Sequence, residues 1–211
     1  MGIKNFFIKT ANRRFFTGVA FVVLGLAWLA LWWPSNHGSN EVEPVENHKT
    51  IVDESVVMDK ALPTRLRIPK VNIDATFERP LGLNEDKTVE VPDSYTEVGW
   101  YKYGPTPGER GPAVILGHVD SYQGPAVFWS LGQLDVGDEI LVDREDGTTA
   151  QFEVTKLERV AQSEFPTISV YGDIDHAGLR LITCTGIYDH GVERYSHNLI
   201  VFAKLKETVE E

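Results

Sequence analysis

The sequence predicts an all-β domain, a closed or nearly closed barrel of seven or eight short strands with a few short helices, preceded by one N-terminal transmembrane helix. Three observations predict it. Residues 15–33, FFTGVAFVVLGLAWLALWW, are an unbroken apolar run behind a basic cluster. From about residue 61, short apolar or alternating segments follow one another, broken by Gly, Pro and Asp. Helical periodicity is scarce there, and its best instance, PAVFWSLGQL at 125–134, supports one or two turns. Closure suits an exposed domain of short strands because it leaves no unpaired edge.

Residues 1–14 are a basic N-terminus carrying Lys4, Lys9, Arg13 and Arg14, and no charged side chain falls between Arg14 and Glu41. As a helix, residues 15–33 would measure about 28 Å, close to the hydrocarbon thickness of a bilayer. The anchor is placed at 15–34, with Trp28, Trp32 and Trp33 as an outer aromatic belt. Basic residues before the run and acidic ones after it put the N-terminus in the cytoplasm and the rest outside. A cleaved signal peptide is the rival reading, but Trp28 is too large for the small-x-small site ending at Ala30. Beyond the anchor, 16 basic side chains face 31 acidic ones, a formal charge of −15. Such a balance excludes a basic nucleic-acid surface. Residues 35–60 are polar and acidic and read as a flexible tether.

The domain proper is placed at 61–206, with a short tail at 207–211. TRLRIP sets Leu66 and Ile68 on one face of a strand. PAVILG, residues 112–117, is an apolar run of strand length. GDEILVDRED and TAQFEVTKLERV flank Asp146-Gly147, a hairpin signal because glycine tolerates positive φ. LRLITC and NLIVFAKL are the last two strand candidates.

Cys184 is the only cysteine. A lone cysteine is usually a small buried hydrophobe, yet outside the cell an unpaired thiol is a liability unless it has work to do. A nucleophilic thiol needs a base or cationic partner, because the thiolate reacts. Of six histidines, His37 and His48 fall in the tether, and His176, His190 and His197 in polar, loop-like sequence. His118 differs: it ends the run AVILG and stands at a strand's end, where it can project into a cleft or serve as a structural histidine in a turn. Arg194 is the one arginine after Cys184 and suits an oxyanion, though a solvated loop position is its bland reading. Cys184, His190 and His197 lack the tight spacing of a metal site, and no calcium-loop motif is present. Phosphate-cradling glycine motifs and GxSxG are absent, and nothing in the sequence implies a cofactor.

GHVDS at 117–121, RLITC at 180–184 and an arginine ahead of a final apolar strand together resemble the sortase family, most closely its class F branch. The resemblance spans about residues 61–206 and includes TRLRIPKVNIDATFE, VGWYKYGPTPGERGPAVILGHVDS and LRLITCTGIYDHGVERYSHNLIVFAKL. The usual TLxTC signature has Arg180 in place of its first threonine, as in class F members. The resemblance implies an eight-stranded barrel and a membrane-anchored cysteine transpeptidase of mainly Gram-positive bacteria. Its implied substrates are an LPxTG-like sorting signal and an acceptor amine, commonly from a cell-wall precursor. By the same resemblance Cys184 is the nucleophile, His118 the acid and base, and Arg194 the oxyanion and substrate partner. Thr183 is a secondary contributor and Asp120 is placed to orient the imidazole or to serve in a surface turn. Many sortases carry the arginine immediately before the apolar part of the last strand. Asn198 holds that place here, so Asn198 or His197 is the alternative donor to Arg194.

Two other functions use the same residues. On this scaffold a hydrolase would resolve the thioester with water, indifferent to added amines. A tethered wall-binding β-domain would be indifferent to loss of Cys184.

Overall fold

The structure, a computed structural model, describes residues 56–206. Its strands are β1 (Pro63–Ile68), β2 (Ile73–Leu81), β3 (Val98–Tyr101), β4 (Gly111–Leu116), β5 (Asp120–Ser121), β6 (Gly124–Pro125), β7 (Glu139–Arg144), β8 (Thr149–Ala161), β9 (Ala177–Asp189) and β10 (Arg194–Leu205), with one short helix, α1 (Thr167–Tyr171). Eight strands close into a barrel in the order β1-β2-β3-β4-β9-β10-β8-β7, and β5 and β6 form a separate small hairpin. The pairs β2/β3 and β4/β9 are parallel. The all-β, eight-stranded closed barrel expected from the sequence is therefore present.

Alternation builds the interior. Leu66 and Ile68 of β1 are fully buried on one face, as their spacing requires. Leu179 and Leu181 of β9, Val201 of β10, Ile140 and Val142 of β7, and Phe152 and Val154 of β8 meet them in one continuous core. The Asp146-Gly147 turn forms as expected: Gly147 has φ +83°, and Asp146 Oδ1 accepts from the Thr148 amide at 3.0 Å. A second, smaller cluster lies on the outer face of β4, β9 and β10, where Val114, Ile182, Ile200 and Phe202 pack under Val170 of α1.

The segment at 125–134, where one or two helical turns are expected, has a single helical turn, and that turn is 3-10. It is confined to Leu131–Gln133, because the segment's apolar side chains serve separate sites. Phe128 and Leu131 are buried in the barrel core while Trp129 stays exposed. Residues 56–60, the end of the expected tether, lie against the barrel. The Met58 amide donates to Gly108 O at 2.8 Å, and the buried Arg144 guanidinium donates to the Asp59 carbonyl. The expected anchor at 15–34 lies outside the described residues, and no helix among the described residues is long and apolar enough to cross a membrane.

Candidate active site

The parallel pair β4/β9 fixes the site. Leu116 pairs with Ile182, the last rung of that ladder, so residues 118 and 184 leave the same end of the barrel two positions later. Gly117 makes the passage possible: a Cβ there would stand 2.7 Å from Phe128 Cδ2. Its amide continues the ladder to Ile182 O at 3.2 Å. On β9, strand alternation sends Leu179, Leu181 and Thr183 inward and Arg180, Ile182 and Cys184 outward.

Cys184 and His118 open onto one groove of about 730 Å³. Leu116, Ile182, Val91 and Pro92 give it apolar wall. Four tyrosines, Tyr95, Tyr122, Tyr188 and Tyr195, also border it. Polar and charged side chains, among them Asp120, Ser121, His190, Glu193 and Asn198, make up much of the remaining lining.

Cys184 is half-buried and unpaired. Burial pushes its thiol above the ordinary range, the Asp120 carboxylate pushes it further, and Arg194 opposes both. The resting sulfur is thus held protonated. The His118 ring meets Pro92 O through Nε2 at 2.7 Å and packs on Tyr95 with ring centroids 4.7 Å apart. A carbonyl only accepts, so Nε2 carries the hydrogen and Nδ1 is left with the lone pair in the neutral ring. No hydrogen bond joins Cys184 to His118 among the described residues.

The other expected residues divide. Asn198 lines the groove on the same rung as Cys184. Arg194 pairs with Asp189 near the hairpin tip, is exposed, and does not line the groove, although its charge is felt by Cys184 and Asp86. Thr183 borders the groove, but its hydroxyl is buried and without a partner among the described residues. The Asp120 carboxylate accepts from the Tyr195 hydroxyl and not from the imidazole.

His190, which lies in polar, loop-like sequence, borders the groove together with Tyr188 and Tyr195. The reason is that β9 and β10 run on past their apolar parts to Asp189 and from Arg194. A signal existed: Tyr188 and Tyr195 flank the six residues Asp189–Arg194, and they are directly paired across the hairpin.

The closed eight-stranded barrel thus brings one thiol and one imidazole off adjacent parallel strands to the border of one groove. A family model for the sortase domain matches residues 66–206, and the chain belongs to the sortase family, whose members are cysteine transpeptidases. Among solved structures, sortase C-1 from Actinomyces oris is 26% identical, covering 72% of this chain and 75% of its own, with a TM-score of 0.52. A lid mutant of Streptococcus agalactiae sortase C1 is 21% identical over 74% of each chain, with a TM-score of 0.52. Sortase A from Corynebacterium diphtheriae is 21% identical over 71% of this chain and 62% of its own, again with a TM-score of 0.52. At 21% identity these last two likenesses concern the fold. No curated protein sequence matches the chain.

Proposed function

We propose that this sortase is a membrane-anchored transpeptidase of the class F type. It cleaves an LPxTG-like C-terminal sorting signal and transfers the protein to an amine acceptor such as a peptidoglycan precursor. The observation that carries the reading is the shared groove of Cys184 and His118 at the ends of adjacent parallel strands. Arg180 ahead of Leu181, Thr183 and Cys184 supports the class. The basic residues before the apolar run 15–33 support a single-pass anchor at 15–34, a cytoplasmic N-terminus and an extracellular catalytic domain at 61–206.

The Cys184 thiolate attacks the carbonyl carbon of the signal's threonine. The tetrahedral intermediate expels the glycine amine, which takes its proton from the His118 imidazolium, and an acyl-thioester remains. The acceptor amine then loses a proton to His118 as it attacks the thioester, and the thiolate leaves. Arg194 holds the substrate and the developing oxyanion once the peptide bridges the mouth of the groove. Asn198, on the rung of Cys184, is the neutral donor nearest in register. A thiol held above its ordinary pKa makes the thiolate–imidazolium pair a minor population at neutral pH.

Intact-mass measurement of the protein with a panel of LPxTG-like pentapeptides tests this. The expected result is an adduct on Cys184 that is absent in Cys184→Ala and disappears faster when an amine is added. Adduct lifetimes indifferent to amine indicate a hydrolase, and no adduct with any peptide ends the reading.

A further inference from the structure

The hydrogen bond from Tyr195 to Asp120 joins residues 75 apart in sequence. It links two parts of the molecule that border the groove from different strands. One is the arm of residues 117–125, which carries His118 and the β5/β6 hairpin. The other is the end of the β9/β10 hairpin beyond Cys184. Among the described residues it is the only side-chain hydrogen bond between them.

Each part is firm at one end and loose at the other. The arm is tied at its root by Phe128, whose amide donates to His118 O at 2.9 Å and whose ring is buried. Its far end shows Tyr122 at 87% exposure. The β9/β10 hairpin is rooted in the core up to Thr183 and Leu199, but its tip shows Ile187 at 79% exposure and Val192 at 68%. With so little apolar burial, the tip must be placed by specific polar and aromatic contacts. Tyr195 supplies them. Its hydroxyl reaches Asp120, and its ring meets Tyr188 edge-on at 5.1 Å, which in turn meets His190 at 4.9 Å.

We propose that Asp120 and Tyr195 are a positioning pair whose hydrogen bond sets His118 against Cys184 across the open end of the groove. The pair rests on the transpeptidase reading for its catalytic consequence, but not for its effect on the thiol. The bond with Asp120 pushes the Tyr195 hydroxyl up to about 12, so its donor persists through any physiological pH. Asp120 is already among the causes that raise the Cys184 thiol, second to burial. The charged and titratable groups of the arm near that sulfur are His118, Asp120 and Tyr122, with Tyr95 contributed by the loop before β3. Those of the hairpin are Tyr188, His190, Glu193 and Tyr195 in the groove and Arg194 outside it. Asp120 and Glu193 are the two carboxylates of that set, and the Asp120 charge adds to burial in raising the thiol.

Three variants separate the bond from the charge. Tyr195→Phe keeps ring and charge and removes the bond. Asp120→Asn removes the charge and leaves an amide oxygen to accept from Tyr195. Asp120→Ala removes both. On the full chain without peptide, alkylation of Cys184 by iodoacetamide is followed against pH by intact mass. Both Asp120 variants are expected to move the alkylation midpoint to lower pH, and Tyr195→Phe is not. In peptide turnover, Tyr195→Phe and Asp120→Ala are expected to lose about tenfold or more in kcat/KM. Asn at 120 should recover most of the loss seen with Ala. An alkylation midpoint unmoved in Asp120→Asn overturns the charge role even if no peptide is ever turned over. Wild-type kcat/KM in Tyr195→Phe, or Asn no better than Ala at 120, overturns the positioning role. If Tyr195→Phe does not fold, the Asn-against-Ala contrast at 120 decides the same question.

Discussion

In β9, residues Ala177–Thr183 are all buried, whereas Gly186–Asp189 are all exposed. In β10 the order reverses, with an exposed or half-buried stretch from Arg194 to Asn198 and a buried one from Leu199 to Ala203. The two strands are one continuous ladder, and Cys184 opposite Asn198 is the rung where root becomes tip. The root is fixed by apolar burial, which specifies register strongly because a one-residue slip would turn every leucine outward. The tip has no such constraint. A bulge enters there: Gly186 and Ile187 stand opposite Ser196 alone, and the Ile187 amide donates to Ser196 Oγ at 2.9 Å. A nucleophile on the boundary draws rigidity from one side and access from the other.

The comparison breaks first if the root is not what holds the hairpin. Leu181 is fully buried, pairs with Val201 and packs in the main core. Leu181→Ala is expected to cost about 2–5 kcal/mol through lost burial and a residual cavity. In calorimetry that corresponds to about 2–4 °C of Tm per kcal/mol for a chain of this size. A loss under about 1 kcal/mol would mean the root is not anchored by packing.

Gly186 tests the bulge. It has φ +90°, and a Cβ there would run into Ser196 Oγ and stand 2.9 Å from His197 Nδ1. Gly186→Ala is expected to cost about 1–3 kcal/mol. Because the bulge decides which way Tyr188 and Tyr195 face relative to Cys184, turnover should fall by more than the stability loss explains. Equal stability and equal turnover in the alanine variant would show that the tip's register does not matter.

Root and tip also differ in how far the sequence revealed them. Leu179, Leu181, Leu199 and Val201 announce their strands by alternation, and the barrel follows from segments of that kind. The apolar run ending at His118 likewise exposed a strand end, and His118 does leave β4 beside the strand of Cys184. What the pattern could not carry was anything held by polar contacts. Tyr195 and His190 sit in a stretch with no apolar period, so both read as loop. The Asp120–Tyr195 bond spans 75 residues and has no local signal at all. Arg194 was legible as a cation near the last strand, but its exposure and absence from the groove lining depend on where the bulge and the turn fall.

At the boundary rung the expected effect is smaller and depends on pH. The Cys184 pKa is raised on folding, so the folded chain holds that proton more tightly than the unfolded one. The resulting stability is fully present below the ordinary thiol value of 9.0 and is lost as pH rises through the folded value above it. Cys184→Ala lacks this dependence. Urea unfolding at pH 7 and pH 10 should therefore show wild type losing ground to Cys184→Ala at the higher pH. The opposite drift would mean a thiolate stabilised in the fold, and a different electrostatic balance around the sulfur.

The smallest effect belongs to the tip itself. Ile187 is 79% exposed and lies beyond the last core-packed residues of the hairpin. Its neighbours across the ladder are polar or half-buried, and its amide, not its side chain, makes the local bond to Ser196. Removing the side chain leaves that bond and every buried residue in place. Ile187→Ser is expected to stay within about ±0.5 kcal/mol of wild type, the usual range for surface substitutions. Urea midpoints at fixed slope measure it. A loss above about 1 kcal/mol would place hidden packing at the tip and erase the distinction between tip and root. A null result leaves the tip's position to Tyr195, Tyr188 and the bulge, the three features that bear directly on how Cys184 is approached.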